Sequence, residues 1–438
     1  MKRLQLAGVR KAWRPLVSAT TILTVSTVGV LATAASSAAS SPVQVLFWAG
    51  HSSGELHRAL VAEVAQFNKT HPGIHVTFKP IGASKHGLAA FESGKAPNVA
   101  MLTYPVHFQF EKAGAILNLK PYIDGKNGLT PKEIAADYYP AVWRAMTDAN
   151  GAQYLLPLEK KSLLVIYYNE ALFKKAHIAS PPKTWAEVGK DAAIITKLGS
   201  KYHGIAWTPS LRQYFDITLA DGGHVFRPGP HRTTFDLQNK GAAAALRMLR
   251  AWIKSGEMIL TSGYQYQLDF GTGYVGMLID ASAGYTYDKS AIGGKFAMGG
   301  APSPEGTSGH SSQEINGNSL ALFNDGTAAQ KAAAWTFMKY LSSPSTNYYW
   351  DTHTGYLPLG PATYAMMKSF YAKHPAQAAA FSNPNGWWSK ARSPNWTAAI
   401  TAMTAVFEKA IKGQITVAQA LHQMDLAGTS YLSGKVRG

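Results

Sequence analysis

The residues in this sequence best suited to recognising a molecule are aromatic rings set in turns with cations beside them. The segment YYWDTHTGYLPLGPATY crowds Tyr348, Tyr349, Trp350, Tyr356 and Tyr364 around a Thr-Gly turn, and Pro358 and Pro361 forbid a continuous helix or a central strand there. A second segment, GWWSKARSPNW, holds Trp387, Trp388 and Trp396 around Arg392. Trp48 ends the run VQVLFW, Tyr104 ends MLTY before Pro105, and Trp207 lies in HGIAWTP. Each ring alone more often serves core packing than a site. Taken together they describe a cleft for a polar small solute, because flat rings stack on sugar faces while Arg, Lys and helix N-termini receive anions.

Motifs for bond-making chemistry are weak by comparison. GTGYVG, Gly271 to Gly276, matches the dinucleotide fingerprint, but that motif needs a strand before it and a helix after it. Here YVGMLIDASAG reads as a strand, so the glycines are expected to make a turn before it. No H-E-x-x-H, G-x-S-x-G, P-loop or EF-hand pattern occurs, and the 14 histidines are scattered rather than grouped as a metal-ligand set. The chain has no cysteine, which removes thiol catalysis, Cys-ligated zinc, disulfides and an N-terminal lipid on cysteine. No cofactor and no metal are expected. The carboxylate pair of a glycoside hydrolase is spaced in the fold, not along the chain, so a secreted glycoside hydrolase remains an alternative. A sensor or adhesion module is a third.

Strands and helices that could position the rings alternate along the chain. VQVLFWAG and IHVTFKPIG read as strands around the helical spacing of Leu56, Leu60, Val64 and Phe67. The alternation recurs at LLVIYYN, YVGMLID and NSLALF, separated by helical stretches such as TWAEVGKDAAIITKLG and AAAALRMLRAWIKSG. The last hundred residues are expected to lack strands and end in helical stretches. This is the α/β class, and the absence of a Pro/Gly/Ser-rich tether favours two lobes joined by several crossings over two independent beads.

The 438 residues carry 46% hydrophobic and 15% charged side chains, enough for a large core. The formal charge of +17 is spread without a block of five or six cations, so a nucleic-acid arm is not indicated. Residues 1–41 read as a secretory signal peptide: a basic start, an apolar run from Pro15, and small residues ASSAAS. The expectation is an exported protein, periplasmic or extracellular, and soluble after cleavage.

The mature chain resembles the extracellular solute-binding proteins of family 1, the binding components of carbohydrate-type ABC importers. The resemblance runs through RALVAEVAQFNKTHPGIHVTF, FESGKAPNVAML, LLVIYYNEALFKKAHI with PPKTWAEV, and NGNSLALF continuing to MKYLSSPSTNYYWDTHTGYLPL. Within the family the last segment is most similar to glycerol-3-phosphate-binding proteins. The resemblance implies a type II two-lobed fold with the ligand cleft between lobes joined by hinge crossings. It implies an N-lobe of residues 42–156 with a return at 296–342, and a C-lobe of 157–295 with 343–438.

The resemblance also implies a ligand-binding set. Trp48 falls at the first cleft loop, with Tyr104, Trp207 and Tyr356 as further rings. Ser282 matches a serine of the glycerol-phosphate branch, and Gly317 a glycine at a strand entry. Arg392 matches an arginine facing the ligand phosphate, with Lys160 and Lys161 as weaker candidates, and Trp396 a stacking aromatic. Departures are Ser210 in place of a second tryptophan near Trp207, the missing acid in GASKHGL, and EKK in place of a more neutral run. The implied activity is solute capture without catalysis, by a monomer working with membrane permease subunits. The implied solute is sn-glycerol-3-phosphate or a glycerophosphodiester, with a neutral mono- or oligosaccharide as the alternative.

Overall fold

The computed structural model describes residues 41–148, 150–162, 164–227, 234–381, 386–391 and 393–434, with Lys161 and Ser162 described as backbone only. The expected leader and Arg392 lie outside the described residues. Among the described residues no helix is long and apolar enough to cross a membrane.

The first sheet forms where the opening strand signals stand. It comprises β1 (Val43–Trp48), β2 (Ile74–Lys79), β3 (Val99–Thr103), β4 (Leu156–Pro157) and β12 (Asn318–Leu322), in the order β2-β1-β3-β12-β4. β1 runs parallel to both β2 and β3, as helical crossovers require, while β12 inserts antiparallel beside β3. The helix Gly54–Thr70 turns Leu60, Val64 and Phe67 into this lobe's core and stops at His71, before Pro72.

The second sheet holds β6 (Val165–Asn169), β7 (His203–Trp207), β8 (Met258–Leu260), β9 (Val275–Asp280) and β10 (Met298–Ala301), ordered β10-β6-β9-β7-β8. Helix Trp185–Thr196 starts at a capping box in which Thr184 and Glu187 satisfy each other's backbone N–H groups, as the Thr-x-x-Glu spacing dictates. Helices Trp396–Ile411 and Val417–Leu432 pair on helix Lys240–Lys254 and close this lobe's core. Gly271 ends a helix and Gly273, at φ +86°, turns the chain into β9, so the glycine-rich run leads to a strand.

A short third sheet, β13-β11-β5, links the lobes: β5 (Lys161–Ser162), β11 (Gln313–Asn316) and β13 (Trp387–Trp388). The lobe boundaries differ from the expected ones in two places. β10 pairs with β6, so residues 298–301 lie on the second sheet and the chain re-enters the first at β12 rather than at 296. Helix Pro344–Thr354 packs on helix Gly54–Thr70 of the first lobe, whereas the expected second lobe began at 343. Both follow from pairing and packing between segments far apart in sequence, which local patterning does not encode.

Candidate functional site

Three crossing segments meet between the sheets. The first carries Glu159 and Lys160 between β4 and β5, the second carries Gly317 between β11 and β12, and the third is the turn Gly355–Leu357. Asn318 donates from its backbone N (3.2 Å) and Nδ2 (2.6 Å) to Glu159 Oε1, and His51 Nε2 lies 3.2 Å from Oε2. The Tyr356 hydroxyl also hydrogen-bonds Glu159. Leu357 N donates to the Lys160 carbonyl at 2.7 Å. Gly317 is required here: its φ is +154°, and a Cβ would stand 2.0 Å from the Glu159 carbonyl oxygen. Gly355, at φ +75°, ends helix Pro344–Thr354 in the left-handed conformation and lets Tyr356 turn inward.

Above this crossing lies a narrow, nearly closed cleft, with a cavity volume of about 20 Å³. Tyr104 and Met146 form its first-lobe wall, Lys160, Asn316 and Gly317 its floor, and Trp388, Ser389 and Lys390 the opposite wall. Lys160 is 3% exposed, and its Nζ donates to the neutral oxygens Glu159 O and Ser319 Oγ, each at 3.2 Å. Burial pushes its amine down to about 8, against the opposing pull of the Glu159 carboxylate. Lys390 Nζ donates to the Tyr104 carbonyl at 2.8 Å.

Behind the second wall, Trp388 Nε1 donates to Asp216 Oδ1 at 2.7 Å, and the Glu314 backbone N donates to the same oxygen at 2.7 Å. Arg212 clamps Glu314 in a bidentate pair, donating from Nε and Nη2 to the two carboxylate oxygens. Desolvation first, then the neighbouring Glu314 charge, raises the Asp216 carboxyl well above the usual range. The network fixes the plane of Trp388 at the cleft.

The expected site residues separate on folding. Tyr104 and Gly317 line the cleft, and Tyr356 is buried at its crossing. Ser282 is fully buried beside Gly355, its Oγ without a hydrogen-bond partner among the described residues and its carbonyl accepting from the Tyr167 hydroxyl at 3.3 Å. Trp48 is 8% exposed and packs in the same apolar cluster as Tyr104.

Trp207 and Trp396 are corrected to core positions. Trp207 ends a central strand with no exposed surface; its Nε1 donates to Gln213 Oε1 at 2.6 Å and its ring meets Phe407 edge-on at 6.2 Å. Trp396 is 3% exposed and stacks on Phe235 at 6.1 Å. A central strand under two covering helices has no open face, so its tryptophan packs inward. Trp388 and Lys390 were outside the expected set, although WWSK places a cation two residues after a ring.

The model of bacterial extracellular solute-binding proteins matches residues 53–348. The sn-glycerol-3-phosphate-binding periplasmic protein UgpB of Pectobacterium atrosepticum is 23% identical over 359 residues, 78% of this chain and 79% of that protein. Among solved structures, the cyclic α-maltosyl-1,6-maltose binding protein of Arthrobacter globiformis superposes with a TM-score of 0.76 at 20% identity, covering 90% of this chain and 100% of that one. UgpB of Mycobacterium tuberculosis, in complex with glycerophosphocholine, superposes with a TM-score of 0.74 at 18% identity, covering 90% and 99%. The fold is the two-lobed type II periplasmic-binding fold. The matched region spans more than half of the 438 residues, and the chain belongs to the bacterial extracellular solute-binding proteins of family 1.

Proposed function

We propose that this ABC-importer binding protein captures a phosphorylated glycerol, sn-glycerol-3-phosphate or a glycerophosphodiester, between its lobes. The observation that carries the reading is the placement of two buried amines, Lys160 and Lys390, on one cleft that also presents Tyr104 and Trp388. Ammonium groups in a partly dry cleft favour an anion, and the rings cover the carbon skeleton or a head group. Arg392 supplies the bidentate phosphate contact in this reading, with Ser282 behind the turn at Tyr356. The curated relative from Pectobacterium, which binds sn-glycerol-3-phosphate, supports the same ligand class.

Solute held by both walls stabilises the closed arrangement, which permease subunits in the membrane read without any bond being made or broken in the solute. A monomer suffices. A neutral mono- or oligosaccharide is the second reading, favoured by two aromatic residues, Tyr104 and Trp388, in the cleft lining and by the cyclic-maltoside-binding neighbour. Calorimetric titration of the mature chain with sn-glycerol-3-phosphate, glycerophosphocholine and maltotetraose separates the two. Binding of the sugar alone would replace the first reading by the second.

A further inference from the structure

A separate group of side chains lies on the outer side of Tyr104. His107 and Glu111 stand four residues apart on helix His107–Lys112 and therefore share one face. Asp148 reaches the same place from the turn after helix Pro140–Ala145. One ligand atom from each of the three lies within 4.8 Å of the others. The His107 side chain is 2% exposed, and its Nδ1 has no hydrogen-bond partner among the described residues. Its ring stacks on Tyr104 with centroids 4.9 Å apart, which fixes the imidazole plane.

We propose that His107, Glu111 and Asp148 bind a divalent transition-metal ion of the zinc type. One imidazole and two carboxylates supply three protein ligands, leaving a further position for water. Ligand atoms around a tetrahedral zinc ion stand about 3.4 Å apart, so the observed spacing closes with small side-chain rotations. The imidazole discriminates against Mg2+ and Ca2+, which take oxygen ligands. Tyr154 stands close enough to Glu111 and Asp148 to feel both carboxylates, and both acids keep partial access to solvent. A bound ion would pin the helix and the turn that back Tyr104 and Met146 on the cleft wall.

The test is titration of chelator-treated mature protein with Zn2+ alone, followed by calorimetry and thermal unfolding. The expected result is a melting temperature that rises with Zn2+ and not with Mg2+. Zn2+ affinity should fall by about tenfold or more in each of Glu111→Gln and Asp148→Asn, with unchanged far-ultraviolet circular dichroism. These two partly exposed positions are chosen because His107→Gln risks the packing of the buried ring. Equal Zn2+ affinity in wild type and both variants would assign the binding to other histidines and overturn the proposal. An equal rise with Mg2+, or no rise with Zn2+, would overturn it as well.

Discussion

Lys390 Nζ donates to the backbone carbonyl of Tyr104 at 2.8 Å, joining the segment that enters the C-terminal helices to the end of β3 on the opposite wall. The pair spans the cleft, so the cation that would meet an anionic solute also helps hold the walls together.

Replacing Lys390 by Met keeps the stem and removes the charge and the donor. The expected loss is about 1.5–3 kcal/mol in binding of glycerol-3-phosphate, the range for hydrogen bonds to charged groups. Calorimetry reads the affinity, and small-angle scattering of the unliganded variant should show a larger radius of gyration. An unchanged affinity would remove Lys390 from the ligand's contacts.

Lys160 gives a pH signature. Its amine titrates at about 8 in the fold against an ordinary value of 10.5. Between those values the unfolded chain binds more protons, so this group's contribution to stability rises with pH across that window. Binding moves the other way: above pH 8 the amine loses its charge, and affinity for a phosphate ligand should fall by up to about tenfold per pH unit. Lys160→Met should flatten both profiles. A wild-type affinity that stays constant from pH 7 to 10 would exclude Lys160 as the anion's partner.

Trp388 and Trp396 should behave oppositely when changed to Ala. Trp396 fills the second lobe's core, so its loss should cost about 3–5 kcal/mol of stability and leave affinity near wild type in the folded fraction. Trp388 faces the cleft, and its loss should cost about 1–3 kcal/mol of binding. Urea unfolding and calorimetry on the two variants check the contrast, and reversed effects would exchange their roles.

Gly317→Ala should destabilise the protein by more than about 1 kcal/mol, because the new Cβ meets a carbonyl at a backbone angle L-residues avoid. Gly94→Ala is the control, with φ +66° but nothing within 4 Å of the added carbon. Urea midpoints of the two variants separate the steric part from the backbone part. Equal losses would mean that the crossing at Glu159 yields without cost.

Sequence alone determined the α/β class and the longer elements, while the short strands β5, β11 and β13 went unread, β13 lying where no strand was expected. The Thr184–Glu187 and Thr327–Gln330 capping boxes, the apolar spacing of Leu60, Val64 and Phe67, and the β-branched runs of β1 and β9 are local signals, because helix starts and strand faces depend on residues within a turn or two. The aromatic segments at Tyr348–Tyr364 and Gly386–Trp396 were legible as unusual for the same reason. Which of their rings would meet solute was not. Trp207 and Trp388 are the same residue type in similar short contexts, and only the order of strands in the sheets puts one in a closed core and the other on the cleft. The lobe boundary at β10 and the clasp of Glu159 with Asn318 and Tyr356 likewise join segments more than a hundred residues apart. Pairing over such distances is set by how whole sheets and helices bury their faces together, and that balance is struck only in the folded chain.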